Sequence, residues 1–484
     1  MDSGSPARFE RALLLALLAL AAGAALRLAS SRGDLWYDEL WSQGHARQVE
    51  QPLDVLLRPE LQHDNNHWLN TLYLHWIGPD AAPFLCRTPA WIASILTLVV
   101  LGWIGWRRSP ATGVLALALA APSFLLVQYG SEARGYAGAV LFSLLCFAIA
   151  DGDDDAGDGR GARWRVPGFW AAALLGFASH LTFLYGYLAL LLWHPVRLFR
   201  RGPPRSARIR LALYHALPVA AITVVYFTTL RHIVIGGGPE YSVARVVLDT
   251  LGWLFGIPGG SPWAILAALV VASVVVAELV LRIRERDDTP LFFAAAIVLA
   301  PAFFLAVRKP EILYVRYFLV CVPFFLLLLA SLLARAWRGS AALRVAGACV
   351  LLGTIAGNAV PLAGLLRFGR GQYGAAVRFL AQETPDGPIE IGVSGDHDIL
   401  LLQRHAAELR PVRELVFRDP ESPVPEPPRW LLGDSQDPGF EPPLELRGPF
   451  RSRYALARAF RFAGLSGVGW FVYRRGEGDA ARAR

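Results

Sequence analysis

Residues 12–41 read ALLLALLALAAGAALRLASSRGDLWYDELW: an apolar run, Ala12–Ala29, a short polar step, then adjacent carboxylates, Asp38 and Glu39, set among Trp36, Tyr37, Leu40 and Trp41. The run is close to the ~20 residues that cross a bilayer as a helix. An Asp at the centre of such a helix costs roughly 2.5–3.5 kcal/mol on insertion scales. The acidic pair therefore belongs at the water boundary, where it stays charged and reachable.

The same apolar pattern recurs along the chain. Of 484 residues, 54% are hydrophobic and only 18% charged, against roughly 25% charged in soluble domains. Apolar stretches follow at Pro83–Trp106, Gly113–Val127, Tyr136–Ala150, Pro167–Ser179, Leu181–Trp193, Leu211–Leu230, Trp263–Leu281, Leu291–Val307, Val315–Ala334 and Leu343–Leu366. This series predicts an all-α polytopic membrane protein of about eleven transmembrane helices. One buried helix of a soluble core explains a single stretch, not the whole set.

The net charge of +8 is carried almost wholly by arginine, Lys309 being the only lysine. Its placement speaks for a membrane rather than nucleic acid. With the N-terminus inside, the inner loops hold Arg107 and Arg108; Arg160, Arg163 and Arg165; Arg197 to Arg210; Arg282, Arg284 and Arg286; and Arg335, Arg338 and Arg344. That is the positive-inside pattern, and an odd number of spans places the C-terminus outside. The expected location is a bacterial-type plasma (inner) membrane. Cleavage of the first span as a signal peptide breaks the pattern, so an uncleaved helix is expected. Cys86, Cys146, Cys321 and Cys349 lie in or beside spans, and no pair has metal-ligand spacing.

Three parts are expected: a membrane region 1–366, an extracytoplasmic α/β domain 367–475, and a disordered tail 476–484. The first part carries a long outer excursion over 30–82 and a second outer loop near Ile233–Pro262. Gly/Asp-rich Asp151–Asp158 reads as an inner linker. In the excursion, Asp38–Arg58 reads as an interfacial helix with Trp41, Val49, Leu53, Leu56 and Leu57 toward the membrane. His67–Trp76 reads as a second helix. In the C-terminal part, Gln372–Thr384 and His397–Leu409 read as helices. Ile389–Val393, Leu415–Arg418, Arg429–Leu432, Ala455–Phe462 and Gly469–Arg474 read as strands, with a proline-rich loop at Pro420–Pro428.

Asp38 and Glu39 lead the candidates for chemistry. Neighbours on a helix point about 100° apart, so one faces the reactants and the other orients it. A carboxylate suits general-base work on a hydroxyl; the plain alternative is a helix N-terminus, which attracts acids unaided. His63-Asp64-Asn65-Asn66-His67, with Asn70, suits sugar hydroxyls or phosphate, or simply caps the next helix. Tyr129-Gly130-Ser131-Glu132-Ala133-Arg134-Gly135-Tyr136 is a tight outer turn whose Arg134 suits phosphate. His180 sits at another tight outer turn. Arg308-Lys309-Pro310-Glu311 and Tyr314-Val315-Arg316-Tyr317 place cations on the outer side, against the trend. Arg316, at the mouth of a span, is a functional candidate on that ground.

In this order and at these positions, Trp36-Tyr37-Asp38-Glu39, Gln128–Tyr136, Tyr314–Pro323 and the C-terminal α/β domain resemble the GT-C superfamily of polyprenyl-phosphate-sugar-dependent glycosyltransferases. They are most similar to the bacterial branch of protein O-mannosyltransferases, aminoarabinose lipid A transferases and core galacturonosyltransferases. The resemblance covers most of the chain. Members often carry a His-Pro-Pro-Leu-like segment in the first outer loop; here Asn65-Asn66-His67-Trp68-Leu69-Asn70 keeps His67 without the prolines, so neither sugar nor acceptor carries over. The resemblance implies a sugar donor linked to polyprenyl phosphate and a hydroxyl acceptor on an envelope glycan, lipid or protein. It implies inversion, with Asp38 as base, Glu39 in support, and Arg134, Arg316, Arg308 and Lys309 as phosphate-binding cations. Tyr37, Asn66, His67, Glu132, Tyr136, His180, Tyr314 and Tyr317 complete the expected substrate contacts. No cofactor is indicated; some relatives use a divalent metal, but no ligand set for one stands out here. A transporter or flippase for a lipid-linked saccharide is the main alternative. It wants midplane ionisable groups and repeated halves, and no repeat is evident. A scaffold binding envelope partners leaves the charged clusters unexplained.

Overall fold

Backbone groups find no water in hydrocarbon, so apolar segments satisfy themselves as helices; this computed structural model is mostly helical for that reason. It describes residues 6–78, 80–152, 162–237, 239–308, 312–393, 395–418, 427–447 and 452–476. The described chain forms two compact units: Met1–Ser31 with Ser42–Val360, and Arg32–Trp41 with Pro361–Arg484.

The first unit is the membrane unit, and the chain is an integral membrane protein. Among the described residues, seven helices are long and apolar enough to cross a bilayer, including Pro6–Ser30, Thr88–Arg108, Trp263–Arg284 and Cys321–Arg338. Other expected spans are present as shorter or more charged helices. Gly113–Val127 is divided by Pro122 into Pro110–Ala120 and Phe124–Tyr129, and Tyr136–Asp151 follows. The two short apolar stretches around His180 are separate helices, Ala162–Ser179 and Phe183–Arg201. Helices Thr88–Arg108 and Pro110–Ala120 pack at glycines: a Cβ on Gly105 lies 3.0 Å from the Gly113 Cα, the close approach that small residues allow between membrane helices.

Charges inside this unit pair with one another, as the cost of burying them demands. Arg282 Nε lies 3.0 Å from Glu278 Oε1, and Arg335 Nε lies 3.2 Å from Glu278 Oε2. Arg197 Nη1 reaches Asp151 Oδ1 at 2.9 Å and Asp288 Oδ1 at 3.0 Å, and Arg108 Nη1 reaches Asp287 at 2.9 Å. The arginines of these loops thus gather at the Asp151 end of helix Tyr136–Asp151. The turn 130–135 enters the opposite end, about 24 Å away at 1.5 Å per residue.

The excursion over 30–82 departs from expectation. Its first helix stops at Arg47, and a separate turn, Asp54–Leu57, follows. Asp54 explains the break, because its Oδ2 accepts the backbone N–H groups of Glu50 and Gln51, both at 2.8 Å. Val49 and Leu56 do not face lipid: they pack with Val55, Leu61 and Trp68 in a small core. The second helix runs Trp68–Ile77.

In the second unit, helices Tyr373–Glu383 and Asp396–Ala406 accompany a six-stranded sheet. The strands are β1 Ile389–Gly392, β2 Leu415–Arg418, β3 Trp430–Ser435, β4 Glu445–Arg447, β5 Arg453–Phe460 and β6 Gly469–Arg475, in the order β2-β1-β3-β6-β5-β4. β1 pairs parallel with β2 and β3; the other pairings are antiparallel. Trp430, Trp470, Tyr373 and Tyr454 fill its core. Most of the expected inner linker, much of the proline-rich loop and nearly all of the tail lie outside the described residues.

Candidate active site

The turn between Phe124–Tyr129 and Tyr136–Asp151 is built from residues that hold it shut. Ser131 Oγ donates to Val127 O at 2.7 Å, Arg134 N donates to Glu132 O at 2.7 Å, and Gln128 Nε2 donates to Glu132 Oε1 at 3.1 Å. Asn70 Nδ2, from helix Trp68–Ile77, donates to Ala133 O at 2.7 Å. Gly135 is required by space: a Cβ there meets Ser179 O at 1.7 Å and His67 Cβ at 3.2 Å. Three distant stretches thereby meet at one point.

Arg134 is the centre of the cluster and only 4% exposed. Its Nη2 donates to Asn65 Oδ1 at 2.7 Å and its Nε to His67 Nε2 at 3.2 Å, and its guanidinium lies 5.0 Å from the Tyr136 ring centre. Tyr136 and His180 are 4.1 Å apart between ring centres, and His67 and His180 4.7 Å. His67 titrates well below the ordinary imidazole range, because burial removes its hydration and His180, Arg134 and Arg316 oppose a further positive charge. The same holds for His180: burial lowers it first, then Arg134 and Arg316, against a weaker pull from Asp64. Both rings are neutral at pH 7. Because His67 Nε2 accepts from Arg134, its proton sits on Nδ1.

Beside this lies a second histidine group. His63 Nδ1 is 2.9 Å from Asp64 Oδ1, which also accepts the Gly236 N–H at 2.9 Å. Burial raises the Asp64 pKa, but the His63 bond, the Gly236 N–H and the charges of His63 and Arg134 outweigh it and hold the carboxyl low. His45, 5.6 Å from His63 between ring centres, is pushed down to about 4 by burial and by His63, against Asp64. Val234 N donates to Gln62 O at 2.9 Å, so the loop 30–82 and the loop that begins near Ile233 are stitched together here.

Arg316 stands on the short 3-10 turn Val315–Phe318. Its guanidinium is 4.4 Å from the Tyr314 ring centre and 6.0 Å from that of Tyr317, and its charge acts on both His67 and His180. Phe318, the last residue of this turn, lines an apolar cavity of about 430 Å³ with Leu251, Leu254, Val275, Pro301 and Phe325. A cationic turn thus borders a hydrocarbon-lined groove.

The structure brings together His67, Glu132, Arg134, Tyr136 and His180, with Arg316 in electrostatic reach. Asn66 hydrogen-bonds within its own loop and the helix that follows. Its Nδ2 donates to Val55 O and Leu61 O at 2.8 and 2.7 Å, and its Oδ1 accepts from Thr71 at 2.9 Å. It braces the loop 30–82, and its neighbour Asn65 touches Arg134. Asn65, Asp64 and His45 are absent from the expected contacts; the polar run 63–67 was the only signal for the first two. Lys309 lies outside the described residues, as does the side chain of Arg308.

Tyr37, Asp38 and Glu39 belong to the second unit. Glu39 Oε2 accepts the Trp36 N–H at 3.2 Å while Glu39 N donates to Trp36 O at 3.0 Å, as an acid at the third helical position does in a capping box. Glu39 is wholly buried, whereas Asp38 is partly exposed. Asp34 Oδ2 accepts the Gly374 N–H at 2.8 Å, and the Tyr37 ring meets His397 edge-on with ring centres 5.8 Å apart. The segment is thus organised by the C-terminal sheet unit.

No protein-family model and no curated protein matches the chain. Solved structures do. ArnT from Cupriavidus metallidurans in the apo state is 14% identical with a TM-score of 0.53, covering 83% of this chain and 85% of that chain. The same protein bound to undecaprenyl phosphate is 14% identical with a TM-score of 0.51, covering 95% of this chain and 97% of that chain. At this identity the likeness shows the fold alone: the chain shares the fold of ArnT.

Proposed function

We propose that the chain is an inverting glycosyltransferase that moves a sugar from a polyprenyl-phosphate donor to a hydroxyl of an envelope glycan, lipid or protein. The observation that supports this reading is that one turn, Val315–Phe318, carries both Arg316, within electrostatic reach of His67 and His180 in the Arg134 cluster, and Phe318, which lines an apolar cavity of about 430 Å³. A polyprenyl phosphate is an anionic head on a hydrocarbon chain, and that pairing of surfaces is complementary to it. ArnT, which shares the fold, has been solved with undecaprenyl phosphate bound.

In the reaction, Asp38 takes the acceptor O–H proton, the oxygen attacks the anomeric carbon, and the bond from that carbon to the phosphate oxygen breaks. Asp38 holds this role by its place in the Trp-Tyr-Asp-Glu motif and by being the less buried of the two carboxylates. The leaving phosphate gains negative charge, which Arg134 and Arg316 stabilise more in the transition state than in the ground state; Arg308 and Lys309 supplement them. Neutral His67 and His180, with Tyr136, Tyr314 and Tyr317, position the sugar. Glu39 supports Asp38 by fixing the start of its helix. The N-terminus is inside, with the active site and C-terminal unit outside.

The test is a comparison of envelope glycans by mass spectrometry in cells carrying wild type, Asp38→Asn or Arg134→Lys. Purified protein is assayed in parallel with undecaprenyl-phosphate sugars. Asp38→Asn lowers turnover by about 10²–10⁴-fold with abundance and insertion unchanged; wild-type turnover in this variant removes Asp38 as base. Arg134→Lys raises the KM for the donor; an unchanged KM removes it from the phosphate site.

A further inference from the structure

We propose that His397, Asp398 and Asp434 form a binding site for a first-row divalent cation of the zinc class in the C-terminal unit. One ligand atom from each lies within 4.8 Å of the others. His397 and Asp398 open the helix Asp396–Ala406, and Asp434 comes from β3. His397 Nε2 is 3.4 Å from Asp398 Oδ1 and 3.3 Å from Asp434 Oδ2. Those spacings are long for charge-assisted hydrogen bonds, which run about 2.7–2.9 Å. They match the edge of a tetrahedron around zinc, about 3.3–3.5 Å when the bonds are 2.0–2.1 Å.

The surroundings fit a ligand set better than a chance cluster. A helix N-terminus recruits carboxylates by itself, but it recruits neither an imidazole nor a carboxylate from a neighbouring strand. The Asp398 side chain is 98% buried, and its Oδ1 accepts Trp470 Nε1 at 2.7 Å. Among the described residues no hydrogen-bond donor reaches its other oxygen. Trp470 is the cross-strand partner of Asp434, so one residue fixes one ligand and flanks another, as residues just outside a metal's ligands do. Two carboxylates facing each other carry two negative charges, which a divalent cation with a neutral imidazole balances. The His397 and Asp434 side chains keep 30% and 32% of their exposure, leaving a path for the ion and a position for water. Two oxygens and one imidazole nitrogen suit zinc, cobalt or manganese rather than a soft thiolate-seeking ion.

Such an ion fixes His397, against which Tyr37 packs, and so braces the segment carrying Asp38; this consequence rests on the glycosyltransferase reading, whereas the site does not. The experiment uses the full chain in detergent micelles, any histidine tag removed and metals stripped with a chelator. Co²⁺ is titrated while its visible ligand-field band is recorded, then displaced with Zn²⁺. Wild type takes up Co²⁺ stoichiometrically with a four-coordinate band that Zn²⁺ abolishes. Asp434→Asn and His397→Gln lose it, and Trp470→Phe binds about 10–100-fold more weakly. No stoichiometric uptake by wild type overturns the proposal, as does undiminished uptake in both ligand variants; an imidazolium bridging two carboxylates then accounts for the cluster. Binding is read without turnover, so failure here and failure of the Asp38 assignment are separate results.

Discussion

Gly135→Ala adds one methyl group at the point where three stretches of the membrane unit converge. Gly135 has φ −79° and ψ −4°, a conformation open to any residue, so the substitution acts through space alone. The new Cβ lies 1.7 Å from Ser179 O and 2.6 Å from Ser179 C, where real Cβ contacts essentially never fall below 3.0 Å. The turn 130–135 and the end of helix Ala162–Ser179 must therefore separate by at least about 1.3 Å, the difference of those two distances. No side-chain rotation relieves the clash, because its partner is a backbone carbonyl. Overpacking typically costs about 1–3 kcal/mol, and this case belongs at the upper end. The displacement pulls Arg134 and Tyr136 away from His67 and His180, and a 1 Å misplacement is worth about 10²-fold in rate. The comparison is Gly138→Ala, whose Cβ meets the Ser179 hydroxyl at 2.4 Å and the Ser179 Cβ at 2.9 Å; rotating the hydroxyl gives up its bond to Leu175 O and leaves a 0.1 Å shortfall at Cβ against the 3.0 Å limit, so the cost stays at the lower end, about 1 kcal/mol. Thermal unfolding in detergent micelles gives the stability difference, and transfer from an undecaprenyl-phosphate sugar gives the rate. Gly135→Ala with wild-type stability and turnover refutes the claim that this contact assembles the cluster.

Three further outcomes are expected. Asn66→Ala loses bonds to Val55 O, Leu61 O and Thr71 and destabilises the membrane unit by about 1–3 kcal/mol without changing donor KM; a KM effect at unchanged stability restores Asn66 as a substrate contact. Glu39→Ala lowers unfolding stability by about 1.5–3 kcal/mol through its buried cap whereas Asp38→Asn does not, and equal stabilities contradict the division of labour between them. His45, His67 and His180 have folded pKa values below the unfolded value near 6.5. Between the two values the unfolded chain binds more protons, so stability is full above about pH 6.5 and falls as pH drops, by up to about 1.4 kcal/mol per pH unit per histidine. For His45 the loss ends at about 4. Unfolding followed from pH 7.5 to 5 in wild type and His67→Asn checks this, and a flat profile in wild type contradicts it.

Much of the architecture is legible from apolar run length, since that is the property a bilayer selects. Strands in the C-terminal unit are legible from side-chain type: β1, β2 and β6 are rich in branched and aromatic residues, and β5 carries Tyr454, Leu456 and Phe460 at even spacing. β4 is three residues long with exposed ends and leaves no periodic mark. The helix end at Arg47 escapes pattern reading because it depends on one carboxylate, Asp54, capturing two amides. Arg134, Tyr136 and His180 stand out in the sequence, but the contact between residues 135 and 179 depends on a shape no local pattern encodes. Asn65 and Asn66 differ in role solely through the direction of their side chains.

The bond from Gly374 to Asp34 spans 340 positions, and its consequence is one of biosynthetic timing. At about 5–20 residues per second, the ribosome makes the Trp-Tyr-Asp-Glu segment some 17–68 s before the residue that anchors it. Throughout that interval the first helix is in place while the loop after it still awaits its scaffold. Any product arrested before residue 361 therefore carries the carboxylates without the sheet that organises them. The last quarter of the chain acts as a completion signal: only a finished molecule presents Asp38 in its native setting.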